Sequence, residues 1–451
     1  MKQTESHTGF HHALKVVDEL CIGCTHCMTV CPTQAIRVRD GKAIIIEERC
    51  VDCGNCCKAC PVSAILIEQD DFEDIFNYAV RIALVPSVFI GQFPSRIRTG
   101  EVFGGLKSLG FTHIVDIDSV VDLVQQGYEE FVKNPACDKP AISSFCPAIV
   151  RLIQVRFPSL VDNLIAVKPP SDVAAIHYRK LMEDQGYEST EIGIFYITPC
   201  AAKIASIKSP VGEAVSSVNG VINMEYMYNK LLHLIMNKEV GTEAVPDNER
   251  LNSKEILWSM TRGESEHQAG RCLAVDGIRN VTEFLEGLEE TEDSNIDFLE
   301  LRACDESCAG GVLISGNRFL TVERLNRRAG EASIESVKQS EAGSFDINLY
   351  SLDKIQARSM LALDPDRNVA MEKMNKLEEL LKVLPGIDCA ACGSPTCRAL
   401  AEDIVQGRAQ PTWCVFVQEL YIRDGRLSLE EADEINGSIW GKERNYRSQS
   451  K

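Results

Sequence analysis

The sequence predicts a multidomain α/β and α+β protein, and three observations lead there. Its 451 residues exceed what one compact core usually organises, at about 150 residues per domain. Its 19 cysteines fall in tight groups near the two ends, with a few widely spaced ones between. The stretch from about 80 to 345 alternates apolar runs with amphipathic ones, the texture of α/β units.

Composition narrows the class further. Hydrophobic residues make up 45% and charged residues 25%, which is ordinary globular composition and leaves no room for a largely disordered chain. A formal charge of −19 is a poor match to phosphate backbones or anionic lipid, so neither nucleic acid nor a membrane surface is an expected partner. The first 20 residues carry no apolar core behind a basic start, and no later run reaches about 18 apolar residues. The chain is therefore expected in the cytoplasm. Disulfides are rare there, and clustered thiols point to metal or redox chemistry.

The first module, residues 1–75, is built on an internal repeat. Each half runs C-x2-C-x2-C-x3-C-P: Cys21, Cys24, Cys27, Cys31 with Pro32, then Cys50, Cys53, Cys56, Cys60 with Pro61. In such a run three close thiolates hold one corner of a cubane while the fourth reaches across to its twin. The spacing thus assigns Cys21, Cys24, Cys27 and Cys60 to one [4Fe-4S] cluster, and Cys50, Cys53, Cys56 and Cys31 to the other. Structural zinc sites more often show two separated C-x2-C pairs or histidine partners. Cys57 is surplus and reads as a packed thiol. His26, between two ligands, reads as a solvent-facing side chain or as a tuner of cluster potential.

In the second module, residues 76–350, strands are expected over 82–85, 114–117, 141–144, 192–198 and 298–301, with helices over 120–133, 172–185 and 217–236. Residues 237–270 read as a connection or insertion, and 325–350 as a polar surface linker. Three sparse cysteines, Cys146, Cys200 and Cys304, each follow an expected strand, and Cys308 lies just beyond. Ligands gather at the carboxyl ends of strands in α/β folds, so these four thiols can converge on a further cubane. Simple burial of free thiols is the other reading.

The third module, residues 351–451, opens with a helix over 366–383 and holds Cys389, Cys392, Cys397 and Cys414 before an amphipathic tail. Helix N-termini near three of these thiols would favour a negatively charged [4Fe-4S] cluster, although the same set could hold zinc. The spacing resembles the small [4Fe-4S] domain of the corrinoid iron-sulfur protein and of some membrane-complex electron carriers.

Taken together, these motifs make the chain resemble an [FeFe]-hydrogenase from the ferredoxin module to about residue 345. The family's TSCCP signature stands as Ser143-Ser144-Phe145-Cys146-Pro147, and its Pro-Cys-x-Ala-Lys element as Pro199-Cys200-Ala201-Ala202-Lys203. Its Ala-Cys-x3-Cys element, followed by glycines, stands as Ala303-Cys304 through Cys308-Ala309-Gly310-Gly311. The resemblance implies a two-lobed α/β hydrogenase domain and four [4Fe-4S] clusters in all. It also implies a two-iron subcluster with CO, cyanide and a bridging dithiolate amine, bridged by Cys308. Lys203 and Ser87, the latter in Val85-Pro86-Ser87, would donate to the cyanides, with Pro86 beside them. H2 and protons would be the substrates, a ferredoxin-like protein the redox partner, and hydrogenase maturation proteins the source of the two-iron unit.

Departures from the family pattern carry their own expectations. Phe145 stands where catalytic members keep a proton-relaying cysteine. Thr198 and Arg302 replace methionines, and Ser206 lies near where an acidic residue is usual. The domain order resembles the sensory-type members, in the shorter group without a PAS domain, which implies slow turnover and a regulatory role with a kinase or phosphatase as partner. Phe145 and Arg302 also suit an electron carrier or assembly scaffold that keeps its cubanes and never receives two further irons. Sixteen of the 19 cysteines are thereby assigned, with Cys57, Cys137 and Cys272 left over. Cys137, nine residues before Cys146, is a candidate substitute in proton transfer.

Overall fold

The computed structural model describes residues 10–134, 137–237, 239–240, 251–290, 295–332, 346–360 and 363–441. The chain divides into two compact units, one of Leu14–Ile67 with Arg358–Lys451, the other of Met1–Ala13 with Glu68–Ala357. No helix among the described residues is long and apolar enough to cross a membrane.

The unit containing Leu14 draws on both ends of the chain. Strand β1 (Leu14–Val16) would be isolated without an antiparallel partner, and a second strand from Ile65 to Ile67 supplies it. Between them β2 (Ile36–Arg39) and β3 (Lys42–Ile45) form a hairpin. Its two turn residues, Asp40 and Gly41, have φ of 47° and 69°, the geometry for which Asp-Gly is favoured. The internal repeat is visible in the backbone. Gly23 and Asp52, Thr25 and Gly54, and Gln34 and Ser63 occupy matching places in the two halves, and all have positive φ.

The second half of this unit is helical. Asp366 caps the helix Arg367–Val383 by accepting from the amides of Asn368 and Val369, and Thr396 caps Cys397–Val405. Leu363, Leu377, Leu400 and Val417 pack with Cys392 and Cys414 into one apolar core. The hairpin is tied to this half by buried ion pairs, Arg37 and Arg39 to Asp403 and Arg49 to Glu402. No local pattern announces that pairing, because its partners lie more than 350 residues apart.

The strand from Ile65 to Ile67 is β4. The unit containing Glu68 is built on two parallel sheets. In the first, β5 (Val80–Val85) lies between β6 (His113–Asp116) and β8 (Ile192–Thr198), and β9 (Gly220–Asn223) flanks β8. In the second, β11 (Phe298–Arg302) lies between β10 (Cys272–Asp276) and the short β7 (Ala141–Ile142). Two parallel sheets with crossover helices give the two-lobed α/β domain.

Four sequence expectations are corrected. The strand expected over 141–144 stops at Ile142, because the side chains of Ser143 and Ser144 turn away to bond Glu264 and the Val167 carbonyl. The helix expected over 217–236 begins at Met224; Gly220–Asn223 pair with β8 instead, and Asn223 caps the helix Met224–Met236. Within 237–270, Ser253–Leu257 is helical, residues 238 and 241–250 lying outside those described. The polar segment 325–350 starts inside the helix Arg318–Glu331, whereas 333–345 lie outside the described residues. β10 has no counterpart among the expected strands, since five half-exposed residues carry too little alternation to mark one.

Candidate metal centres

Parallel strands bring their carboxyl ends to one place, and the chemistry-bearing residues gather at those ends. Ser87 lies two residues past β5, Asp118 two past β6, Cys200 two past β8 and Cys304 two past β11, with Cys146 four past β7. Cys146 precedes the helix Pro147–Arg156, which Pro147 starts at the position where a missing amide costs nothing. Cys200 precedes the helix Ala201–Lys208. The turn from Cys304 to Cys308 passes through Glu306 and Ser307 at φ of 59° and 49°.

Two glycines close this turn onto its neighbours. A Cβ on Gly310 would lie 1.9 Å from the Asp305 carbonyl oxygen, and one on Gly311 would lie 2.4 Å from that of Pro199. Only glycine lets the Cys308 loop approach the Cys200 loop so closely. Cys146, Cys200 and Cys308 are consequently electrostatic neighbours. The Cys304 carbonyl accepts from the Ser307 amide at 3.1 Å at the start of the same turn. Burial pushes the Cys200 thiol up to about 12 and raises Cys308 as well, although Lys203 opposes both shifts. Thiols so placed ionise readily only against a bound metal.

Beside Cys308 is a small pocket bordered by Pro86, Asp118, Phe145, Tyr196, Lys203 and Ser259 among others. Burial disfavours the Lys203 ammonium, yet Tyr196, Cys308 and Cys200 hold its pKa above the ordinary value. The Ser259 hydroxyl is buried without a hydrogen-bond partner, and Ser87 meets Asp118, its amide donating to Asp118 Oδ2 at 2.8 Å. Thr198 stays close to the cysteine it precedes, its hydroxyl 3.3 Å from the Cys200 carbonyl oxygen.

The other unit holds two further groups of sites. Cys21, Cys24, Cys27 and Cys60 line one small pocket. Cys31 is instead the neighbour of Cys50, Cys53 and Cys56. Amides of Ala35, Ala43 and Ala64 donate to the sulfurs of Cys31, Cys21 and Cys60 at 3.2 to 3.3 Å. Toward the C-terminus Cys392 neighbours Cys389 and Cys414, while Cys397 starts a helix and donates its amide to Asp388 Oδ1 at 2.7 Å.

Comparison with known proteins agrees with this arrangement. The family described as iron only hydrogenase large subunit, C-terminal domain, matches residues 78–258, a 4Fe-4S dicluster domain matches 13–70, and an Fe-S cluster family matches 384–416. Over residues 78–258 the chain is therefore similar to the iron only hydrogenases. The NADP-reducing hydrogenase subunit HndD of Solidesulfovibrio fructosivorans is 25% identical over 251 residues, 52% of this chain and 39% of that one. The periplasmic [Fe] hydrogenase large subunit of Nitratidesulfovibrio vulgaris is 26% identical over 259 residues, 53% of this chain and 61% of its own. The chain thus spans less than two thirds of either relative. Among solved structures, a variant of [FeFe]-hydrogenase HydA1 from Chlamydomonas reinhardtii superposes with a TM-score of 0.47 at 15% identity, covering 64% of this chain and 97% of that one.

Within this hydrogenase-like frame Phe145 takes an unusual position. Two cations lie over its ring, the Lys203 ammonium 4.3 Å and the Arg302 guanidinium 3.8 Å from its centroid. Arg302 is held by Glu264 at 2.8 Å and Glu300 at 3.4 Å, all three buried. Ser143 donates to Glu264, whose pKa burial lifts to about 7. Sequence reasoning missed Glu264, Glu300, Asp118 and Ser259. A signal existed for one of them: in Phe298–Arg302, a carboxylate and a guanidinium two residues apart share one face of an otherwise apolar strand.

The remaining cysteines are placed apart from these groups. Cys57 donates to the Ile65 carbonyl at 3.2 Å, Cys137 lies 3.4 Å from the Asp138 carbonyl, and Cys272 bonds the turn 268–270. His26 is solvent-exposed, and Ser206 donates to the Lys203 carbonyl.

Proposed function

We propose that this hydrogenase-like iron-sulfur protein binds and splits H2 at a [4Fe-4S] cluster joined through Cys308 to a two-iron unit. Turnover is slow, and the role is sensory or regulatory. Each H2 would yield two protons and two electrons, and cubanes held by the cysteines would supply the one-electron carriers. The observation that carries the reading is the pocket beside Cys308, where the Lys203 ammonium meets buried surroundings and the Ser259 hydroxyl has no hydrogen-bond partner. A plain cubane gives no reason for such donors. When bound, the two-iron unit supplies an open low-spin iron and a pendant amine, between which H2 is cleaved heterolytically.

The chain's residues do the rest. Cys146, Cys200, Cys304 and Cys308 hold the cubane, and Lys203 and Ser87 donate to the anionic ligands of the unit beyond it. Phe145 and Tyr196 exclude water. Phe145 has no exchangeable proton, so protons pass by Ser171, which borders both this pocket and a larger, more open one reaching Ser206 and Glu213. The Ser171 hydroxyl donates to Asp172 Oδ2 at 3.3 Å, and burial lifts Asp172 to about 6, where it can hold and release a proton near neutrality. Arg302 adds a second cation beside Cys308 and Cys146, which favours the reduced form and suits a sensor better than a fast catalyst.

One observation favours a second reading. The Phe145 ring packed on Arg302 fills space beside the site, as an electron carrier or scaffold without the two-iron unit would permit. Infrared spectroscopy after maturation with a synthetic two-iron complex decides between them, with Cys308→Ala alongside. Sharp CO and cyanide bands that shift under H2 and vanish in the variant are the expected result. About sixteen irons per chain with no such bands would reject the two-iron site and leave a multi-cluster carrier.

A further inference from the structure

The hairpin β2–β3 touches two cluster sites at once. Val38 lines the cavity of Cys21, Cys24, Cys27 and Cys60, and its amide donates at 2.8 Å to the carbonyl of Gly393, the residue after Cys392. One peptide group therefore separates the wall of the first site from the ligand loop of the C-terminal one. A second connection runs through the turn. A Cβ on Gly23 would lie 2.4 Å from the Gly41 carbonyl oxygen, and one on Gly41 would lie 2.7 Å from that of Trp440. The Trp440 indole N–H in turn donates to the Ala391 carbonyl at 3.0 Å. The loop between Cys21 and Cys24 is thus linked to the loop before Cys392 by backbone packing and a single indole.

Arg39 sits where these connections meet. Its guanidinium donates to the Gly393 carbonyl at 2.8 Å, the Cys392 carbonyl at 3.4 Å, Ser394 Oγ at 3.1 Å and Asp403 Oδ2 at 3.2 Å. It also stacks 4.4 Å from the ring centroid of Trp413, which precedes Cys414. Arg37 shares Asp403, so two cations face one carboxylate and a net positive charge is left near the C-terminal site.

We propose that the C-terminal four-cysteine site and the Cys21, Cys24, Cys27 and Cys60 site form a directly coupled electron-transfer pair, with Arg39 as the positioning residue that tunes the C-terminal cluster. Transfer moves one electron from the reduced cluster of the pair to the oxidised one, with no bond made or broken. The other ferredoxin-type site, of Cys31, Cys50, Cys53 and Cys56, comes next in order. Cluster potential depends on net charge and hydrogen bonding around the ligands. Reduction adds negative charge, and the guanidinium stabilises it. The inference rests on cubanes filling these two sites and is independent of the two-iron unit.

The test uses the full chain, reconstituted anaerobically with iron and sulfide but without maturation, and followed by electron paramagnetic resonance during a potentiometric titration. The fully reduced protein is expected to show a magnetic interaction that is lost when Cys414→Ser removes the C-terminal cluster. Arg39→Gln, which removes no ligand, should lower the midpoint of the C-terminal cluster, and Asp403→Asn should raise it, while the Cys50-containing cluster stays put. A reduced spectrum equal to the Cys414→Ser spectrum plus an isolated cluster signal would overturn the proposal. So would an unmoved C-terminal midpoint in Arg39→Gln, or zinc in place of iron at the C-terminal site.

Discussion

The guanidinium of Arg302 lies against the ring of Phe145, 3.8 Å from its centroid, where both are almost completely buried. The two residues are separate departures in sequence and one structure in space. An unpaired arginine would be costly there; the aromatic face, Glu264 and Glu300 together compensate its charge. The Lys203 ammonium also lies over this ring, 4.3 Å from its centroid.

Phe145→Ala should therefore destabilise the apoprotein by about 3 to 5 kcal/mol, because it opens a cavity and strips both cations of their shared ring. Denaturant unfolding of the cluster-free chain reads this directly. A loss under about 1 kcal/mol would mean that the ring is dispensable packing.

Arg302→Met restores the size of an apolar residue yet leaves Glu264 and Glu300 facing each other without a counter-ion. A loss of about 3 to 5 kcal/mol near neutral pH is expected, shrinking in acid as the pair takes up a proton. Adding Glu264→Gln should recover part of that loss, whereas two additive changes would show that the carboxylates do not depend on Arg302.

Three buried carboxyls give stability a defined pH dependence. Burial lifts Asp118 and Asp172 from 3.8 to about 6 and Glu264 from 4.5 to about 7. Each then binds its proton more tightly folded than unfolded, so its contribution is full below about 4 and is lost as pH rises to about 7. Asp172→Asn should flatten the stability profile between those limits. In the matured protein it should also slow H/D exchange about 10²-fold or more while the infrared bands remain. Unchanged exchange would remove Asp172 from the proton route.

Lys203→Met tests the cavity without touching a cysteine. The cubane should remain in full, but retention of a two-iron complex should fall by about 10- to 100-fold, read by iron content and band intensity after gel filtration. Full retention with unshifted cyanide bands would deny Lys203 its role as a donor.

Gly23→Ala places a methyl group against the Gly41 backbone at a residue with φ of +61°. Strain and clash together should cost at least about 1 kcal/mol and lower occupancy of the Cys21-containing site, seen as fewer irons per chain. Gly425→Ala, at a φ of +69° with nothing within 4 Å, bears the strain alone and should leave the iron content intact.

The cysteine runs, the strands 192–198 and 298–301, and the capped helix from 367 were legible because each is a local pattern. Spacing along the chain fixes which thiols can reach one cluster, and period fixes which residues share a face. β9 and β10 escaped because four or five residues carry too little period to separate a buried strand from a helix start.

By itself, then, the sequence determined the cysteine spacing, the repeat and the family resemblance, all of which depend on residues close together in the chain. Only the tertiary structure decided that Arg302 stacks on Phe145 between Glu264 and Lys203, and that Arg39 spans to Cys392 and Trp413. Those contacts join residues tens to hundreds of positions apart. They are selected by charge compensation and close packing in the folded interior, which leave no periodic trace along the chain.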